Sequence, residues 1–198
     1  MNSKITYLAR SGYKGALWLG GLLLLSLFFG LSNLAFLFAT ALAFWIFMFR
    51  NPERVALHLS ENAFLSPIDG EIKQIQSKEN ITTIIISSSV LDVGVIRSPM
   101  DISDYKIDAL YGIPLYFSKT KEFFASKMSF SFARGKMTFR PSLFHIYPLN
   151  PKTQNLERGE RMGFMKAGEV VIEIKDIEVK VNVGDKLKGG ESVLGYLQ

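Results

Sequence analysis

From residue 15 to residue 49 the chain carries no charged side chain. A run of that length has few ways to fold. In hydrocarbon every backbone N–H and C=O must be bonded within the segment itself, which makes helix the expected form. The run divides at Gly30-Leu31-Ser32-Asn33, where turn formers cluster, into residues 15–31 and 33–49. At ~1.5 Å per residue each half reaches roughly 25 Å, a little short of a hydrocarbon core of ~30 Å, whereas one unbroken helix would extend about 50 Å. The expectation is a membrane anchor over residues 1–50, built as a tight hairpin of two short apolar helices that either spans the bilayer or dips into one leaflet. Lys4, Arg10 and Lys14 precede the run and Arg50 and Arg54 follow it. Basic residues at both ends favour both ends on the cytoplasmic side of the cell membrane. The run is too long for a signal peptide and lacks a small-residue cleavage site.

No acidic residue precedes Glu53, so more than half of the net charge of +5 comes from the anchor's flanks. That excess suits attachment to an anionic lipid surface. It does not suit nucleic acid, because no long basic run or recognition module is present. The absence of cysteine excludes disulfides and thiolate metal sites.

Beyond the anchor, Asn51 before Pro52 is pushed out of the helical region and should stop the helix. Residues 51–198 then read as one mainly β domain, a compact sandwich or barrel of short strands. Glu71-Ile72-Lys73-Gln74-Ile75 alternates polar and apolar, and Thr82-Thr83-Ile84-Ile85-Ile86 is β-branched. Residues 91–96, 136–139, 143–147, 170–174, 178–183 and 192–197 are further strand candidates, whereas 116–128 reads as a short amphipathic helix or a loop. Turns are expected at Lys175-Asp176, Gly184-Asp185 and Gly189-Gly190-Glu191.

Three segments carry a resemblance. Phe49-Arg50-Asn51-Pro52-Glu53-Arg54 follows the apolar run. Ser66-Pro67-Ile68-Asp69-Gly70-Glu71-Ile72 opens the β region. The third comprises Gly159-Glu160-Arg161-Met162-Gly163 through Gly168, with Val183-Gly184-Asp185-Lys186-Leu187-Lys188-Gly189-Gly190-Glu191 after it. In this order and spacing they resemble the short bacterial phosphatidylserine decarboxylases, which have Phe-Phe-Arg-Asp-Pro-x-Arg, Ser-Pro-Ala-Asp-Gly-x-Val and a self-cleavage site ending in Gly-Ser. The resemblance covers the anchor and most of residues 50–198. It implies that family's β domain, with biotinyl/lipoyl-like elements. It also implies a triad of Asp, His and Ser, in which the Ser attacks the preceding carbonyl, splits the chain and becomes a pyruvoyl cofactor.

The departures from the pattern matter more than the matches. Asp69 holds the Asp position. The family's Asp-Val-His-Val-Asn-Arg-x-Pro becomes Asp92-Val93-Gly94-Val95-Ile96-Arg97-Ser98-Pro99, which replaces the base by Gly94. Gly168 is followed by Glu169, whose side chain has no hydroxyl for an acyl shift and cannot eliminate to a pyruvoyl group. An activated hydroxyl needs both nucleophile and base, so either change should stop self-cleavage, and restoring Ser at 169 should also require His at 94. Substitutes are few. The histidines are His58, read as interfacial, and His145, read as a structural histidine in a strand, while Ser87, Ser88 and Ser89 read as turn polar residues.

The expected function is therefore a non-catalytic membrane relative whose remnant pocket comprises Asp69, Gly94, Gly168 and Glu169, with Arg97 as a candidate lipid ligand. It would bind a membrane phospholipid, an active lipid-synthesis enzyme or a second copy of itself, and would hold neither a pyruvoyl group nor a metal. Asp69 and Glu169, if close, would form a carboxylate pair. The rival readings are a working decarboxylase acting by an atypical route and a non-enzymatic membrane adaptor.

Overall fold

A computed structural model of the chain describes residues 7–54, 60–110, 112, 126–142 and 155–198. It divides into two compact units, Met1–Glu53 and Arg54–Gln198.

The first unit is a helical hairpin. A single 3-10 turn, Arg10–Gly12, leads into α1 (Tyr13–Phe28); Phe29 to Leu31 form the turn, and α2 is Ser32–Met48. The continuous helical run Arg10–Phe28 is long and apolar enough to cross a membrane, while α2, equally apolar, is shorter at 17 residues. Both helices are apolar all round, and Leu17, Trp18, Phe28 and Phe36 stand largely exposed. That distribution belongs in lipid rather than in water. Two polar side chains are satisfied on their own helix: Ser26 Oγ donates to the Leu23 carbonyl at 2.8 Å and Thr40 Oγ1 to the Phe36 carbonyl at 2.9 Å. Gly15 faces Trp45, whose ring would overlap any larger side chain there. Trp45 Nε1 donates to the Gly12 carbonyl at 2.9 Å and its ring stacks on Phe49. The open end is tied by Ala9 N–H to the Phe49 carbonyl and Asn51 N–H to the Tyr7 carbonyl, each 2.8 Å.

The second unit is mainly β. Its strands are β1 (Ala63–Leu65), β2 (Gly70–Lys78), β3 (Ile81–Ser88), β4 (Val95–Arg97), β5 (Ile102–Ser103), β6 (Lys106–Leu110), β7 (Lys127–Phe132), β8 (Gly135–Pro141), β9 (Asn155–Leu156), β10 (Arg161–Phe164), β11 (Gly168–Lys175), β12 (Ile177–Val179), β13 (Lys186–Leu187) and β14 (Val193–Leu197). An antiparallel sheet runs β13-β2-β3-β11-β8-β7-β6, with β1-β14-β12, β10-β4 and β5-β9 as smaller sheets. Alternation makes one face of the large sheet the core: Ile84 and Ile86 of β3, Val170, Ile172 and Ile174 of β11, Met137 and Phe139 of β8 and Phe130 of β7 are buried together with Phe64, Ile68 and Ile72. Each such side chain contributes about 1.5–3 kcal/mol by leaving water.

Several expectations are adjusted. The strand expected at 91–96 is confined to β4, because Asp92 caps the loop by accepting Ser89 N–H at 2.7 Å. The strand at 178–183 shrinks to β12, beyond which the chain turns at Gly184. Lys127 and Met128, assigned to a helix or loop, begin β7. The rest of that segment up to Ala125, the strand expected at 143–147, and both His58 and His145 lie outside the described residues.

Candidate functional site

Two motifs more than a hundred residues apart in sequence fold against each other. Leu187 pairs with Gly70 and Lys186 with Glu71. Gly190 N–H donates to the Ser66 carbonyl at 2.7 Å, Ser66 N–H to the Ser192 carbonyl at 2.8 Å, and Gly184 N–H to the Ile72 carbonyl at 2.8 Å. The Gly189-Gly190 turn is thereby laid against Asp69. Gly190 has φ +75°, and a side chain there would collide with Arg97 Cδ.

Asp69 is 8% exposed, and its carboxylate is fully engaged. Arg54 grips it with both terminal nitrogens: Nη1 meets Oδ1, and Nη2 donates to Oδ2 at 2.7 Å. Oδ1 also accepts Gly189 N–H at 2.8 Å, while Arg54 Nη1 reaches the Gly189 carbonyl at 3.0 Å. This is a bidentate, charge-assisted pair in a nearly water-free setting. The carboxylate that would orient a histidine instead ties the first residue of the β unit to the Gly189 turn.

Gly94 is closed rather than vacant. Its carbonyl accepts Met165 N–H at 2.7 Å. A Cβ placed on it would lie 2.7 Å from the Met165 carbonyl oxygen and 2.9 Å from the tip of the Phe164 ring. The pairing of β4 with β10, Val95 opposite Phe164 and Ile96 opposite Gly163, fixes this approach. Lys166, fully buried, continues it by donating from Nζ to the Asp92 carbonyl at 2.5 Å.

Next the backbone changes direction. Ala167 takes φ +58° and Gly168, the first residue of β11, φ +141°, a strained corner of the kind found at functional sites. Gly168 sits between Ser88 of β3 and Pro141 of β8, where any side chain would strike the Arg140 carbonyl. Glu169 points the other way. It lies on the outer face opposite Ser87 and Arg140, with its carboxylate 4.0 Å from Arg140 Nη1. Glu71, also opposite Ser87, has its carboxyl held below the usual range by the Lys73 hydrogen bond and charge, with Lys186 adding to the effect.

The residues singled out in the sequence thus fall into three places. Asp69 and Arg97 flank the Gly189-Gly190 turn, and buried Arg97 donates from Nη1 to the Gly159 carbonyl at 3.1 Å. Gly94 backs onto Met165, and Gly168 and Glu169 open β11. Strand β3 lies between β2 and β11, so Asp69 and Glu169 form no carboxylate pair: each has its own arginine. Among the described residues no cluster of His, Cys, Asp or Glu is arranged to hold a metal ion. Ser88, read as a turn residue, is instead a buried strand residue on the core face opposite Gly168, and its Oγ has no hydrogen-bond partner among the described residues. Arg54 was legible as a motif residue but not as the partner of Asp69, and the sole clue was that both belong to segments of the same family pattern.

Similarity to known proteins runs along the whole chain. It is 28% identical over its full length, and over the full length of the relative, to the phosphatidylserine decarboxylase proenzyme of Geotalea uraniireducens (strain Rf4). It is 29% identical to the proenzyme of the same name from Geobacter metallireducens, covering 83% of this chain and 82% of the relative. For that of Syntrophotalea carbinolica the identity is 26%, over 85% and 86% respectively. No family model and no solved structure matches the chain.

Proposed function

We propose that the chain is a membrane-anchored, phospholipid-binding member of the phosphatidylserine decarboxylase family, to whose proenzymes it is similar along its length, and that it neither cuts itself nor decarboxylates. The observation that carries this reading is the state of the processing site. Glu169 stands after Gly168, faces outward and pairs with Arg140, while the position of the family's base is sealed by Met165 and Phe164. Decarboxylation in this family depends on an electron-accepting carbonyl supplied by its cofactor. These residues do not fit the making of one.

Ser88 does not repair the deficit. Attack of its Oγ on the Gly168 carbonyl would form an ester at Ser88, break the Gly168–Glu169 bond and free the Glu169 amine. The new terminal residue would still be glutamate, without the β-hydroxyl whose loss leads to a pyruvoyl group. Cleavage by that route would therefore yield two fragments and no cofactor.

The remaining parts suit binding at the cytoplasmic face of a membrane. Basic residues on both flanks of the hairpin favour that side, and exposed apolar helices favour lipid. The pairing of the 66–72 and 183–191 segments supports biotinyl/lipoyl-like elements at the site. A membrane phospholipid is the ligand class that this placement favours. The adaptor reading lacks a comparable feature.

The test is the intact mass of the purified full-length protein. A single species of 22.3 kDa is expected, and hydroxylamine or borohydride treatment should reveal no α-keto terminus. Two fragments separated by a cut at Gly168–Glu169, the C-terminal one blocked by a keto acyl group, would overturn the reading. Two fragments with a free glutamate amine would point to Ser88.

A further inference from the structure

Exposed apolar side chains are placed unevenly on the β unit. Leu91 is 64% exposed, Leu110 62% and Val90 36%. All three lie at the end of the large sheet where Ser88 pairs with Gly168. Val90 and Leu91 sit on the loop that leaves β3 just after Ser88, and Leu110 ends β6 opposite Lys127. Val183, also exposed, lies on the loop beside Ile72, a few residues in from that end. At the opposite end the turns carry Glu79, Asp104, Arg134 and Asp176. Among the described residues there, Ile81 is the one large apolar side chain that is exposed.

The chain leaving the anchor enters the β unit at the apolar end. Only Phe49 to Glu53 separate Met48, which ends α2, from Arg54. The Arg54 guanidinium is fastened to Asp69 and Gly189, beside the first residue of β2. We infer that this end of the β unit is a second membrane contact, in which the Val90-Leu91 loop and Leu110 dip into the interfacial layer of the bilayer that holds the anchor. The inference rests on the membrane reading above.

Charge does not carry the contact by itself. At this end Glu169 is 4.0 Å from Arg140 and Glu191 is 3.4 Å from Lys188, which leaves exposed Lys127, opposite Leu110, as one basic side chain beside the apolar ones. The contact is therefore apolar in origin and should persist in high salt, unlike attraction of a basic patch to anionic lipid. It would also place the corner at Ala167 and Gly168 against the layer where lipid headgroups lie.

The chain has no cysteine, so each introduced cysteine is a unique labelling site. Full-length Leu91→Cys, Leu110→Cys, Ile81→Cys and Leu24→Cys proteins would carry an environment-sensitive fluorophore in vesicles of phosphatidylcholine and phosphatidylglycerol. Lipids spin-labelled near the headgroup or near the chain terminus serve as quenchers. Probes at 91 and 110 should shift to the blue and be quenched severalfold by the shallow label, equally in low and high salt. The probe at 81 should stay water-exposed, and the probe at 24 should be quenched by the deep label. Probes at 91 and 110 as wet as the one at 81, with 24 still deep, would overturn this inference and leave the anchor intact. A wet probe at 24 would overturn both.

Discussion

At the residue scale, the proposed failure to self-cleave rests on the surroundings of residues 94 and 169 as well as on their identities. Restoring the nucleophile alone, Glu169→Ser, should leave the chain uncut. The sequence suggests adding Gly94→His, but the geometry argues against success: a Cβ at 94 meets backbone at Met165 and the Phe164 ring, and Asp69 is already committed to Arg54. We expect Glu169→Ser with Gly94→His to remain a single species by intact mass over days, and to unfold at lower temperature than Glu169→Ser alone. Efficient cleavage of the pair would mean that the Met165 backbone yields easily. The Arg54–Asp69 pair gives a second prediction. Both side chains are little exposed, and breaking a buried pair from one side strands the other charge at a cost of about 3–5 kcal/mol. Arg54→Met should therefore lower the unfolding midpoint of the β unit by several degrees, read by near-UV circular dichroism in detergent. A change below about 1 kcal/mol would rank the pair with solvent-screened surface links.

Among the elements, β11 bears most on the site. It runs between β3 and β8 with Val170, Ile172 and Ile174 wholly buried, and its first two residues are Gly168 and Glu169. Truncating Ile172→Ala should cost about 2–5 kcal/mol, whereas Val171→Ala on the half-exposed outer face should cost well under half as much. Comparable losses at both positions, measured by urea unfolding, would mean that the outer face is covered too. In the hairpin, close approach of α1 to α2 depends on Gly15 lying under Trp45. Gly15→Leu should separate the helices at that level and break the Trp45 bond to the Gly12 carbonyl, with a red shift of tryptophan emission as the readout.

For the molecule as a whole, attachment is set by apolar burial. At ~25 cal/mol per Å², a few leucines and phenylalanines outweigh the ~1 kcal/mol expected per basic residue at an anionic surface. High salt and alkaline carbonate should leave the full-length protein in the membrane fraction, and release by salt alone would refute insertion. Much of this organisation was open to reading from the sequence. A charge-free stretch has to be helical in lipid, alternation in β2, β3, β8 and β11 has period two, and turns fall where Asp176 and Gly184 adopt positive φ, because these are local properties. That Gly94 offers no imidazole and Glu169 no hydroxyl was equally plain, since it concerns which atoms are present. Tertiary structure decided the rest. Edge strand β6, with the sequence Lys-Ile-Asp-Ala-Leu, has little pattern of its own and is a strand because β7 offers it a ladder. Asp69 reads as a catalytic carboxylate and acts as a clamp because folding brings Arg54 and Gly189 to it. Gly94 reads as a gap and is a seal because Phe164, at the end of β10, and Met165 after it are brought against it. Pairings between distant segments depend on which strands become neighbours, and no single stretch of sequence holds that information.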